Sequence, residues 1–277
     1  MKGLRISVVV DNWTAKQRLR GEHGLSFFIE KDGKSFLFDT GQSMEVFTHN
    51  ASVLGINFGA LKGVFLSHGH YDHTGGLPVI AREKKELFVY AHPHIFHKKY
   101  AAGEGELRSI GLPWEKEDLV KEGVRFLCAE KPVEPAPGLM LTGEIPLVTS
   151  YEAGPKNFVT KRESRPAADM LLDDQALLIE GPQGLIVVLG CSHRGVVNTL
   201  RHAVKLTGEK IQAVIGGMHL RSSSPVVIGA TAGYLQETGA TLVAPLHCTG
   251  PAAVYACRSV LGERFYPAGA GTVLEFV

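Results

Sequence analysis

The chain carries almost no net charge: 29 Lys and Arg stand against 28 Asp and Glu in 277 residues. That balance leaves no field to steer polyanions, so a general role on nucleic acid is excluded. No segment approaches the roughly 20 consecutive apolar residues of a membrane span, so no membrane partner is expected. The apolar start, Ile6 to Val10, is too short for a secretory leader and meets Asp11 and Asn12 at once. Cysteine is scarce. Cys128, Cys191, Cys248 and Cys257 form no C-x-x-C pair, which excludes a disulfide framework and predicts reduced thiols in a cytoplasmic protein. No solenoid period or low-complexity tract occurs, and nothing in the sequence specifies an oligomer.

What the chain does have is histidine, glycine and short apolar runs. A hydrophobic share of 44% with 32 glycines suits a sheet-rich globular protein with many tight turns. The run Val64-Phe65-Leu66 leads into Ser67-His68-Gly69-His70-Tyr71-Asp72-His73-Thr74-Gly75-Gly76. Imidazole nitrogens and carboxylate oxygens are the donors that suit zinc and similar divalent ions. In an extended chain His68 and His70 project to one side and can reach the same ion. Asp72 and His73 reach a second ion if the chain turns there. A solvated His-rich loop is the alternative, and this spacing behind a buried strand argues against it.

Along the chain, Phe27–Glu30 and Ser35–Phe38 flank an Asp-Gly turn and predict a hairpin that closes at Asp39-Thr40-Gly41. Helices are predicted over Gln42–Leu54 and Pro78–Lys85, with strands at Leu61–Leu66 and Leu87–Tyr90. This alternation predicts a layered α/β architecture in one domain spanning 1–277. Residues 95–165 are the least regular part and read as an insertion covering the substrate. The cluster Lys161, Arg162 and Arg165 is either solvated surface or, for a phosphorylated substrate, the phosphate clamp. Regular structure resumes with strands at Ala176–Glu180 and Leu185–Leu189, then a helix at Val196–Leu206. Strands at Ile211–Ile215 and Thr241–Leu246 follow, with a helical stretch Gly229–Thr238 between them. Three strand ends deliver histidines: His193, His219 and His247. Together with the first motif they argue for convergence on one site.

The pattern FDTG, SHGHYDHTGGL, CSHRG, GGMHL and HCTG, running from about Val10 to Thr249, resembles the metallo-β-lactamase superfamily. Within it, the pattern is similar to a branch of metal-dependent hydrolases related to the dihydropterin–ribofuranosylaminobenzene 5'-phosphate synthase of methanopterin biosynthesis. The resemblance implies a four-layer αββα sandwich with mixed sheets. It also implies one or two divalent metal ions, zinc first, with iron and manganese as alternatives. His68 and His70 with a later histidine would hold the first ion; Asp72, His73 and His247 would hold the second. Asp39 would support the site from behind the ligands, its alternative being a simple turn residue. The chain departs from the superfamily order, since no histidine lies between His97 and His193. Either His193 is the third ligand of the first ion, or it stands in the bridging strand's place with Asp169 or Asp173 contributing from upstream. Cys191 is a further candidate, because thiolate suits zinc. His219 is read as facing the substrate, donating a proton or contacting an anion, or else as a buried structural residue.

These features predict a metal-dependent hydrolase that uses a metal-activated water on an ester or phosphoester of a small molecule, with Asp72 orienting that water. The resemblance offers a synthase-like transferase that releases diphosphate as the alternative. A metal-dependent binding protein without turnover is the third class.

Overall fold

A computed structural model describes residues 3–103, 106–154, 157–162 and 165–277. The chain opens with β1 (Leu4–Val10), β2 (Ser26–Lys31) and β3 (Lys34–Phe38), an antiparallel meander, followed by α1 (Met44–Val53) and β4 (Leu61–Phe65). After the short α2 (Tyr71–Thr74) come α3 (Leu77–Glu83) and β5 (Leu87–Ala91). Then follow β6 (Lys99–Ala102), β7 (Leu107–Ser109), α4 (Lys116–Lys121), β8 (Val124–Cys128), β9 (Val133–Ala136) and β10 (Leu139–Leu141). The second half holds β11 (Phe158–Arg162), β12 (Arg165–Ala168), β13 (Leu177–Gly181), β14 (Gly184–Leu189) and α5 (Val196–Thr207). It ends with β15 (Ile211–Gly217), α6 (Pro225–Glu237), β16 (Leu242–Leu246), α7 (Pro251–Leu261) and β17 (Val273–Phe276).

Seven strands in the order β17-β1-β2-β3-β4-β5-β8 make one sheet, and six in the order β16-β15-β14-β13-β10-β9 make the other. Both are mixed: β3, β4, β5 and β8 run parallel, as do β14, β15 and β16. The sheets face each other across one apolar core. Ile6, Val8, Phe27, Ile29, Phe36, Phe38 and Phe65 meet Leu177, Ile179, Ile186, Val188 and Ile215 there. The opposite face of the first sheet, including Leu37, Val64 and Val89, is covered by Phe47 and Ala51 of α1 and Leu77 and Ile80 of α3. Leu185, Val187 and Leu189 on the outer face of the second sheet pack with α5, α6 and α7. The result is a four-layer αββα sandwich. Strands buried on both faces must be apolar throughout, which is why β14 reads as a continuous hydrophobic run from Leu185 to Leu189, and why β3 and β4 do so only in their buried second halves, Phe36–Phe38 and Val64–Phe65. Each such buried Leu, Ile, Val or Phe contributes about 1.5–3 kcal/mol of transfer free energy.

The span 95–165 is not a single irregular insertion. Here β8 extends the first sheet, while β9 and β10 extend the second. A separate four-stranded sheet forms in the order β12-β11-β6-β7. These strands are three to five residues long, and some, such as β7 and β8, are largely exposed, so their hydrophobic periodicity is too short to read. Among the described residues no helix is long and apolar enough to cross a membrane.

Candidate metal centre

Every loop that carries the singled-out histidines leaves the C-terminal end of a parallel strand. Phe38 of β3 lies beside Phe65 of β4, so Asp39 and the His68 loop emerge together. In the other sheet Leu189 pairs with Gly216, and Gly217 pairs with Leu246, which aligns the exits of β14, β15 and β16. Ligand sites in α/β sheets gather at such strand ends because the loops there are free of the ladder. The first motif is compressed against its neighbours. A side chain at Gly69 would strike the Ile95 carbonyl, and one at Gly75 would strike the Gln42 carbonyl. Both Gly75 and Gly76 have ordinary negative φ, so they serve close approach rather than an unusual turn.

The first donor set is a triangle of ring nitrogens. His68 Nε2 lies 2.9 Å from His70 Nδ1, and His193 Nε2 lies 3.2 Å from each. A tetrahedral zinc with Zn–N bonds of about 2.0–2.1 Å spaces its nitrogens by roughly 3.3–3.4 Å, close to these values. The tautomer of His68 follows from its surroundings: Nδ1 bonds Ser67 Oγ at 2.8 Å, and Ser67 Oγ donates to Asp39 Oδ2 at 2.7 Å. Its Nε2 is therefore left as a lone pair aimed at the other two rings. Burial pushes all three imidazoles down, His70 to about 4 and the other two well below the ordinary value, so they are neutral donors. The triangle suits a divalent ion.

The second donor set surrounds Asp72. Its Oδ2 lies 3.4 Å from His247 Nε2, 3.9 Å from His73 Nε2 and 3.2 Å from His23 Nε2. Burial opposes the charge on Asp72, but His73, His23 and His247 outweigh it and hold the carboxyl well below its usual range. His73 Nδ1 donates to Asp39 Oδ2 at 2.6 Å. Burial alone would lower His73, yet Asp39 and Asp72 raise it to about 9, so at neutral pH its Nε2 holds a proton that an ion bound there would have to displace. Asp39 thus orients His73 directly and His68 through Ser67, from a left-handed backbone with φ of 60°. His247 Nδ1 bonds Asn12 Oδ1 at 2.8 Å and its N–H bonds Asp11 Oδ1 at 2.8 Å, freeing Nε2 for the site. His247 Nε2, His70 Nε2 and His193 Nδ1 are buried without a hydrogen-bond partner.

Between the two sets stands sulfur. Cys191 Sγ is 3.1 Å from His73 Nε2, and His68, His73 and Cys191 form a group that could hold an ion. Asp169 and Asp173, the upstream alternatives, are elsewhere: both pair with the ammonium of Lys99, at 3.0 and 2.8 Å. His219 is half-buried, its ring centroid 4.2 Å from that of His193. The side chains of Lys161, Arg162 and Arg165, expected as phosphate contacts, lie outside the described residues.

Three groups escaped the reading of the sequence. His23 joins Asp72, and Asp11 with Asn12 grips His247. The only local signal was an Asp-Asn pair ending an apolar strand. An open cleft of about 170 Å³ exposes the centre, lined among others by His70, Asp72, His193, His219 and His247. Phe158, Arg108 and Arg221 complete its walls, and Phe158 stands edge-on to His70 and His193 at 5.2 and 5.3 Å.

Comparison with known proteins gives the family to which the chain belongs. The chain is 36% identical over 266 residues to the 7,8-dihydropterin-6-methyl-4-(beta-D-ribofuranosyl)-aminobenzene-5'-phosphate synthase of Methanocaldococcus jannaschii, covering 92% of this chain and 90% of that one. A second, uncharacterized protein of the same organism is 31% identical, over 88% of this chain and 90% of its own length. The crystal structure of Tm1679, a metal-dependent hydrolase of the beta-lactamase superfamily, superposes with a TM-score of 0.83 at 31% identity, covering 98% of each chain. The family model described as the metallo-beta-lactamase superfamily matches residues 19–213. The chain therefore belongs to the metallo-beta-lactamase superfamily.

Proposed function

We propose that the protein is a metal-dependent hydrolase acting on a small anionic ester or phosphoester. Convergence of the His68, His70 and His193 nitrogens beside the Asp72, His73 and His247 donors, at the floor of an open cleft, carries this reading. Zinc is the ion that best suits this nitrogen, oxygen and sulfur set, and when bound it supplies Lewis acidity and a water ionised near neutral pH. The protein's own groups do the rest. Asp72 faces the cleft as a carboxylate, placed to accept a hydrogen bond from the attacking water and orient it. Burial disfavours charge on His219, but Cys248 and Asp174 raise its pKa, which suits a donor to the leaving oxygen. Phe158 gives the cleft an aromatic wall. Arg108 and Arg221 have no ion-pair partner among the described residues, so their guanidinium groups are free to receive substrate oxygens.

A second reading is favoured by those arginines and by the named relative, whose product carries a 5'-phosphate. It is a transferase that joins a dihydropterin-methyl unit to a ribosyl-aminobenzene phosphate with diphosphate as leaving group. The test is incubation of metal-loaded protein with simple phosphoesters, and separately with dihydropterin-methyl diphosphate with and without the amine partner. Ester cleavage without the amine supports the hydrolase; diphosphate release that needs the amine supports the transferase. For either, Arg108→Ala and Arg221→Ala should each lower kcat/KM by about tenfold to a hundredfold, the equivalent of roughly 1.5–3 kcal/mol per charge-assisted contact. Unchanged kcat/KM in both variants would remove the anionic substrate from the proposal.

A further inference from the structure

The chain has three buried cysteines, and they live in unlike surroundings. Cys257 is on the buried face of α7, within the apolar cluster, where a thiol is a small hydrophobe. Cys191 and Cys248 instead lie at the ends of β14 and β16, with His219 at the end of β15 between them. One sulfur from each cysteine and one ring nitrogen of His219 lie within 4.8 Å of one another. Three residues in these turns, Ser192, His219 and His247, hold left-handed backbone with φ of 58°, 46° and 52°. None is glycine, so each conformation costs on the order of 1–3 kcal/mol that surrounding structure must offset, a pattern that gathers at functional sites. Gly217 leaves room for the sulfur, since a side chain there would collide with the Gly190 carbonyl and press on Cys248 Sγ. His219 Nδ1 is buried and has no hydrogen-bond partner.

We propose that Cys191, His219 and Cys248 form a thiolate-rich subsite for a soft divalent ion, zinc or cadmium, adjoining the histidine centre. Two sulfurs and one imidazole select such ions over magnesium or manganese. All three residues line the cleft, so a fourth position faces solvent or substrate. Cys191 is the shared element, because its sulfur also touches His73 Nε2 at 3.1 Å. The subsite goes beyond the hydrolase reading and does not depend on turnover; with an ion bound there His219 would be a neutral ligand, not the proton donor to a leaving oxygen.

Its test is cadmium titration of the full-length, chelator-stripped protein, read by sulfur-to-cadmium charge-transfer absorbance and by bound metal. The His68→Ala/His70→Ala variant, lacking the histidine triangle, should still take up one cadmium with that absorbance. Adding Cys248→Ser should remove about half of it and weaken binding by more than the roughly 10–100-fold that losing even an outer partner of a ligand costs. Cys248→Ser alone, in an otherwise native protein, covers the case in which the double variant fails to fold, and should show the same fractional loss relative to Cys257→Ser. Charge transfer equal in Cys248→Ser and Cys257→Ser overturns the proposal, as does a folded His68→Ala/His70→Ala protein without cadmium absorbance.

Discussion

Lys99 offers the sharpest test of how the small sheet supports the centre. Its side chain is 1% exposed, and Nζ bonds Asp173 Oδ1 at 2.8 Å and Asp169 Oδ2 at 3.0 Å. Asp173 Oδ2 in turn accepts the Gly69 N–H at 2.8 Å, between His68 and His70. Lys99→Met keeps most of the apolar stem but leaves two carboxylates, 0% and 9% exposed, without their cation. Breaking a buried pair from one side costs about 3–5 kcal/mol. For a domain of this size that is a fall in Tm of roughly 6–20 °C, read by calorimetry. Burial raises the Asp173 carboxyl, but Lys99 and the Gly69 N–H outweigh it and hold it below the usual range. A depressed carboxylate stabilises the fold above about pH 4, the unfolded value, and loses that contribution as pH falls through the folded value. The gap between variant and native protein should therefore narrow in acid. Converting Asp169 and Asp173 to Asn in the Lys99→Met background should recover most of the loss, since the penalty is the stranded charge. A Lys99→Met protein within about 1 kcal/mol of the native one would refute the reasoning. So would a triple variant no more stable than the single one.

Two other outcomes follow from the same geometry. Changing His68 and His70 together to Ala should strip most of the zinc, iron or manganese from the histidine triangle, measured by elemental analysis of protein loaded with each metal. Full retention would break the assignment of that centre. With iodoacetamide at pH 8, Cys257 should stay unmodified in the folded protein, because burial pushes its thiol up to about 11 and leaves about one in a thousand ionised. Exposed Cys128 should be alkylated, and mass spectrometry of the digested protein separates the two.

The helix and strand order was largely legible because the elements bury long faces. The expected helix over Gln42–Leu54 is α1 (Met44–Val53), and the expected strand Leu185–Leu189 is the body of β14 (Gly184–Leu189). The helix expected at Gly229–Thr238 begins earlier, at Pro225, where Ser224 caps it by accepting from Val227 N. Short strands on a half-exposed surface, such as Leu107–Ser109, carry too few alternations to be seen.

By itself the sequence determined that residues of metal-ligating type stand together, because H-x-H-x-D-H after a buried strand places imidazoles and a carboxylate within a few residues of each other. It also determined that three later strands end in histidine. Which donors meet was decided by tertiary structure alone. Parallel register aligned the ends of β14, β15 and β16, and the packing of the two sheets face to face set His193 against His68 and His70. The same packing drew His23 to Asp72 and moved Asp169 and Asp173 away to Lys99. Asp11 and Asn12 hold His247 across more than 230 residues of chain, at 2.8 Å each. Contacts at that separation leave no local pattern, since they exist only once two sheets, each buried on both faces, have closed over a common core.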